Sequence, residues 1–249
     1  MASVEGFLRL YEPERLRYSH LPKVTQTALD AVENDPLQRY MLDTPDAHKA
    51  RFLKLREKIG CYLNYSPYIH KKQAYTINGG DAMMLYDPAP NVTPKPSPLD
   101  RLLSKILQGL GRSLKVFDAP EQRKRKAEFI TKHGIVAKEA IGDAVKEMIV
   151  LEAIATAPSQ QRQGYGTMLV HIVTAMADEQ GRYTWVTSSN IANTGFYESF
   201  GFRTVAEIAM GAENPTWKDP PVIVRIMVRS PTQSAFKPHN ENKGVEAYV

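Results

Sequence analysis

Apolar residues recur along this chain with two periods, and the points where the period changes mark the elements. Val4 to Leu10 alternate weakly around Phe7 and Leu8 and run into Glu12-Pro13-Glu14, which predicts a short first strand and a turn. From Leu21-Pro22 onward, Val24, Ala28, Leu29 and Val32 fall at helical intervals, and Asn34-Asp35-Pro36 reads as the stop. A second helix is expected over Asp46 to Cys61, where Phe52, Leu53, Leu55 and Ile59 are apolar with basic residues between them. The period drops to two over Gln73 to Asn78 and Asp81 to Tyr86, and Gly79-Gly80 between them is a hairpin dipeptide that accepts positive φ. Met83 and Met84 in this hairpin are expected as a core-facing and a sheet-surface residue.

Asp87 to Pro98 holds five prolines and is expected as an irregular connector. After it Leu99, Leu102, Leu103, Ile106, Leu107 and Leu110 predict an amphipathic helix, followed by a basic helical stretch from about Glu121 to Lys132. Residues 89–146 therefore form a helical insertion far longer than the usual connection of about 4–6 residues, and one expected to cover a site. Met148 to Ala157 is nearly continuous apolar sequence, as in a strand buried on both faces, with Glu152 the exception. Leu169, Ile172, Val173 and Met176 then mark the buried stripe of a helix over Thr167 to Ala177, and His171 falls off that stripe toward solvent. Tyr183 to Ser188 is a further strand, and a short helix through Phe196-Tyr197-Glu198 ends at Gly201. Phe202 to Met210 and Val222 to Val228 are the last strands, joined by a loop with Trp217 at its tip. Residues 1–230 read as one domain and 231–249 as a polar tail.

Composition narrows the picture only slightly. An apolar content of 43% is ordinary for a globular protein, and no segment reaches the roughly 18 apolar residues of a membrane span. No membrane partner, no export and a cytoplasmic location are the expectation, with a nuclear one still open. The lone cysteine, Cys61, makes neither an internal disulfide nor a cysteine-rich metal site, so no metal is expected. The net charge of +5 is too mild to argue for nucleic acid, and Arg123-Lys124-Arg125-Lys126, with no aromatics interleaved, reads as a solvated helix face.

The candidate chemistry sits between the strand at Met148 and Phe202. Gln161-Arg162-Gln163-Gly164-Tyr165-Gly166 lies where a strand turns into a helix, a position that aims free backbone N–H groups and the positive helix end at one point. Such a turn suits a pyrophosphate. Together with Asn190, six residues, Tyr197 and Gly201-Phe202, this order resembles the GNAT superfamily of N-acetyltransferases, closely over about the last hundred residues and by element order before them. The run Ser-Asn-Ile-Ala-Asn-Thr-Gly-Phe-Tyr and the insertion are similar to the fungal and puromycin-acetyltransferase-like branch.

The resemblance implies an α+β fold: a mostly antiparallel mixed sheet, flanked by helices and splayed at an acetyl-CoA wedge. It implies acetyl-CoA as co-substrate, with Gln161, Arg162, Gln163, Gly164, Tyr165, Gly166 and Thr167 at its pyrophosphate. Ile154, Ala155 and Thr156 would line the pantetheine arm, and Asn190 and Asn193 would either contact the cofactor or cap the following helix. Tyr197 is the candidate general acid, also contacting the cofactor, and Glu152 the candidate base. From ordinary thiol and phenol pKa values, proton transfer from tyrosine to the departing thiol is uphill by about 2 kcal/mol. Trp217 is a candidate substrate contact, and the acceptor is a small-molecule or peptide amine. A catalytically inactive acyl-CoA-binding scaffold is the alternative; the sequence does not indicate an oligomeric state.

Overall fold

A computed structural model describes residues 12–232. The expected strand over Val4 to Leu10 and almost all of the polar tail lie outside the described residues. Seven strands form one sheet: β1 (Glu14–Arg15), β2 (Ala74–Ile77), β3 (Ala82–Asp87), β4 (Ile149–Thr156), β5 (Thr184–Ser188), β6 (Arg203–Met210) and β7 (Val222–Arg229). Their order across the sheet is β1-β2-β3-β4-β5-β7-β6. Every neighbouring pair is antiparallel except the central β4–β5 pair, which is the mixed sheet expected from the sequence.

The helices are α1 (Leu21–Val32), α2 (Pro36–Leu42), α3 (Leu53–His70), α4 (Pro98–Leu114), α5 (Pro120–Ala140), α6 (Tyr165–Glu179) and α7 (Thr194–Glu198). Helix α6 covers one sheet face, where Leu169, Val170, Val173 and Ala177 meet Met84, Ile149, Leu151 and Val186. The opposite face carries two separate clusters. One packs α1 and α3 on β2–β3 through Val24, Ile69, Met83 and Leu85. The other packs α2 and α5 on β5–β7–β6 through Leu37, Tyr40, Val224 and Ile226, with Phe129 and Trp185 at its edge. One cluster reaches Ala153 and Ala155 of β4 and the other reaches Trp185 of β5, and the boundary between them positions the site.

Several expectations are corrected. Asp35-Pro36 ends α1 but also starts α2: the Asp35 carboxylate accepts from the Leu37 and Gln38 amides, and Pro36 sits at the first helical position. The second expected helix begins at Leu53 rather than Asp46, because Phe52 takes a left-handed φ of 54°, and it continues to His70, seating Tyr65, Tyr68 and Ile69 on the sheet. Met83 and Met84 are both fully buried, because helices cover both faces of β3. Met148 to Ala157 is buried only in its first half; from Glu152 onward β4 is partly or fully exposed.

The basic stretch is not a uniformly solvated face. Arg125 is 0% exposed, bonding the Tyr40 and Asp43 carbonyls, Thr216 and Glu121, while Lys126 pairs with buried Asp118. Helix α4 forms as expected, yet none of its residues is buried and Leu99, Leu102, Leu103, Ile106 and Leu110 are exposed.

Candidate active site

The site begins with a break in strand pairing. Strand β4 pairs with β5 only at Ile149–Thr184, Val150–Trp185 and Leu151–Val186. Past that point β4 stays bound to β3 through Ala153, Ile154, Ala155 and Thr156, so its other edge is left without a strand partner. On the β3 side the register shifts: Leu85 faces Ala153 and Tyr86 faces Leu151, which leaves Glu152 as the extra residue of a bulge. A bulge re-aims the side chain it carries. Glu152 therefore stands where the two strands separate, on the face that also holds Tyr68 and Asp87.

Those three residues form an acidic cluster. The Tyr68 hydroxyl donates to Asp87 at 3.0 Å, and its pKa is raised by burial and by the charges of Glu152 and Asp87. Glu152 is exposed in surface terms, yet surrounding protein and then the Asp87 charge raise its pKa. Both observations describe an accessible carboxylate whose charged form its surroundings disfavour. Neither Tyr68 nor Asp87 carried a motif in the sequence. The only signal for them was the continuation of the Tyr62-Tyr65-Tyr68-Ile69 pattern beyond Cys61.

The turn after β4 fits an anion. Arg162 and Gly164 take left-handed φ values of 63° and 80°, and α6 starts at Tyr165. Among the described residues, the backbone N–H groups of Gln163, Gly164, Gly166 and Thr167 make no hydrogen bond, and the first intrahelical bond is donated by Met168 to Gly164 at 3.0 Å. A Cβ on Gly164 would meet no protein atom within 4 Å, so the approach is open, whereas a Cβ on Gly166 would come within 3.3 Å of Phe196. Gly166 thus serves close packing of α6 against α7. Gln161 donates to the Thr156 carbonyl at 3.4 Å and Gln163 to Gln160 at 3.0 Å, bracing the turn. Tyr165 is buried in the core, its hydroxyl 3.4 Å from Asn78.

On the α6 side of the sheet, Tyr197 is 5% exposed and packs edge-on against Phe196 and Phe202. Its hydroxyl has no hydrogen-bond partner among the described residues, and burial pushes its pKa up to about 12. Asn190 caps the turn that follows β5, accepting from the Ala192 amide at 2.9 Å, and Asn193 makes no side-chain cap bond. Trp217 is committed to the protein: its ring meets Tyr40 edge-on at 5.2 Å, Arg125 lies over it, and its N–H donates to the Pro220 carbonyl. Among the described residues no cluster of three or more His, Cys, Asp or Glu could hold a metal, and no helix is long and apolar enough to cross a membrane.

Residues 121–204 match the acetyltransferase (GNAT) domain family. An uncharacterized N-acetyltransferase of Schizosaccharomyces pombe is 23% identical over 225 residues, 88% of this chain and 83% of the relative. Among solved structures, one described as histone acetyltransferase HPA2 and related acetyltransferase from Corynebacterium glutamicum superposes with a TM-score of 0.54 at 15% identity, covering 90% of this chain and 98% of its own. A Drosophila melanogaster polyamine N-acetyltransferase, described as forming N-acetylagmatine, gives 0.55 at 9% identity, covering 88% and 99%. Both structures share the fold.

Proposed function

We propose that this chain, whose residues 121–204 match the acetyltransferase (GNAT) domain family, moves the acetyl group of acetyl-CoA onto a primary amine by direct attack, with both substrates bound together. The observation that carries this reading is the parting of β4 from β5 at Glu152, with an open N–H-lined turn at one end and carboxylates and Tyr197 on opposite sheet faces. Acetyl-CoA supplies an activated thioester. The amides of Gln163, Gly164, Gly166 and Thr167 would hold its pyrophosphate, and the unpaired edge of Ile154, Ala155 and Thr156 would pair with the extended arm as a strand does.

The chain's own groups account for the protons. An alkylammonium with a pKa near 10.4 must lose a proton before it can attack, which costs about 4–5 kcal/mol at pH 7. Glu152, with its pKa raised into a more basic range, takes that proton directly or through water. Tyr197 protonates the departing thiol from the other sheet face. With its pKa near 12 the transfer is uphill by roughly 5 kcal/mol, more than the value for a free phenol and still compatible with a donor that acts as the C–S bond breaks. The C–N bond forms as the C–S bond breaks, and one proton is released overall. The acceptor class is a small amine such as a polyamine, in keeping with the cluster of Glu152 and Asp87 that would face its charge.

The test is thiol release from acetyl-CoA across a panel of polyamines, arylalkylamines and peptide amines. We expect amine-dependent release, and a fall in kcat of about 10²–10⁴ in Tyr197→Phe with acetyl-CoA affinity unchanged. Tight acetyl-CoA binding without release for any amine would favour the inactive scaffold instead.

A further inference from the structure

The first residues beyond the last parallel pair are Glu152 on β4 and Thr187 on β5, so these two flank the opening. Glu152 has its acidic neighbours on one side. Across the opening Thr187 is joined to the helical insertion: His133 of α5 places its Nε2 2.9 Å from the Thr187 hydroxyl. The ring stacks on Trp185 with centroids 6.3 Å apart and leans on Phe129 at 5.5 Å, so its plane is set by aromatic neighbours. The side chain remains partly exposed, and its Nδ1 has no hydrogen-bond partner among the described residues. Beside it the Trp185 indole N–H is buried without a partner, an uncompensated donor of a kind usually met by something polar.

We propose that His133 is a contact for the acceptor amine, accepting an amine N–H at Nδ1 while Nε2–H donates to Thr187, so that the insertion helix forms the wall of the acceptor site opposite Glu152. This rests on the acetyl-transfer reading and deepens it: the amine is held between a carboxylate on the β4 side and a neutral imidazole on the β5 side. Burial lowers the His133 pKa, so the ring is neutral and able to accept near neutral pH. The charged groups around it do not oppose this. Glu128 and Lys132 on its own helix pair with each other at 2.8 Å, and Asp35 is engaged by Ser189 and the α2 amides. Trp185 and Thr187 carry no charge, while Glu152 and Asp87 lie across the opening.

Two substitutions separate the two nitrogens. His133→Gln keeps a group that reaches Thr187 but loses the acceptor at the Nδ1 position; His133→Asn keeps an acceptor near that position and loses the Thr187 bond. With the best amine of the panel, His133→Gln is expected to raise the amine KM at least tenfold, leaving the acetyl-CoA KM and the melting temperature near wild type. His133→Asn should recover part of that loss. If the wild type turns over amines and His133→Gln stays within twofold in amine kcat/KM, the proposal falls while acetyl transfer stands. A drop shared equally by both substrates and by the melting temperature would show a structural role and overturn it as well. A wild type that acetylates no amine removes both readings.

Discussion

At the scale of single residues, the site depends on where one extra residue sits in a strand. Glu152 is the exception in an apolar run, and the sequence marks it as unusual without saying why it is tolerated. The bulge answers that: Ala153 and Leu151 take the paired positions opposite Leu85 and Tyr86, so Glu152 is spared the ladder and turned into the cleft. Its raised pKa has burial as the larger cause and the Asp87 charge as the second. A base with a raised pKa is active only above that pKa, so the rate should fall as pH drops through it, at a higher pH than for an ordinary glutamate. Asp87→Asn removes the like charge and should move the acidic limb of the kcat/KM profile to lower pH. An unmoved limb in an active variant would mean that Glu152 is not the titrating base.

At the scale of elements, the two glycines of the turn divide into different roles that the motif alone does not distinguish. Gly164 has open space beyond its Cα and a φ of 80°, and Gly166 has Phe196. Gly164→Glu is therefore expected to abolish acetyl-CoA binding, measured by calorimetry, at a cost in stability of about 1–2 kcal/mol from the left-handed backbone. Gly166→Val should instead destabilise by about 1–3 kcal/mol through overpacking, and Phe196→Ala in the same chain should recover part of that loss. Equal effects of the two single substitutions on stability and on binding would contradict this division. The same lesson applies to Asp35-Pro36, where one dipeptide closes α1 and opens α2. A stop and a start look alike in sequence because proline cannot continue a helix interior, while the same proline, with no N–H to satisfy, suits a first turn whose free amides Asp35 caps.

At the scale of the whole molecule, a buried cation ties the insertion to α2 and to the loop between β6 and β7. Arg125 of α5 bonds α2 carbonyl and loop groups, Glu121 and Thr216, and its guanidinium lies 4.8 Å from the Tyr40 ring and 5.4 Å from that of Trp217. Arg125→Met leaves Glu121 and two carbonyls short of partners and should cost about 3–5 kcal/mol, read as a lower urea midpoint. A change below about 1 kcal/mol would show that the network contributes little. Because α5 also carries His133, this anchoring links the stability of the insertion to the geometry of the cleft.

Sequence alone determined the order of elements from α1 onward except for α2, the hairpin at Gly79-Gly80, the phosphate-suited turn and the identity of Tyr197 and Glu152 as candidates. These are local properties: a hydrophobic period, a glycine that permits positive φ, a helix that begins where a strand ends. Only the tertiary structure decided that Arg125 is buried rather than solvated, that Trp217 is held by Tyr40, that Gly166 answers to Phe196, and that Tyr68, Asp87, His133 and Thr187 converge on one opening. These depend on residues far apart in the chain meeting in space, as Arg125 meets Thr216, Tyr40 meets Trp217, and His133 meets Thr187. The period of a segment records which of its faces is apolar; the identity of the partner on that face is set by how strands and helices pack.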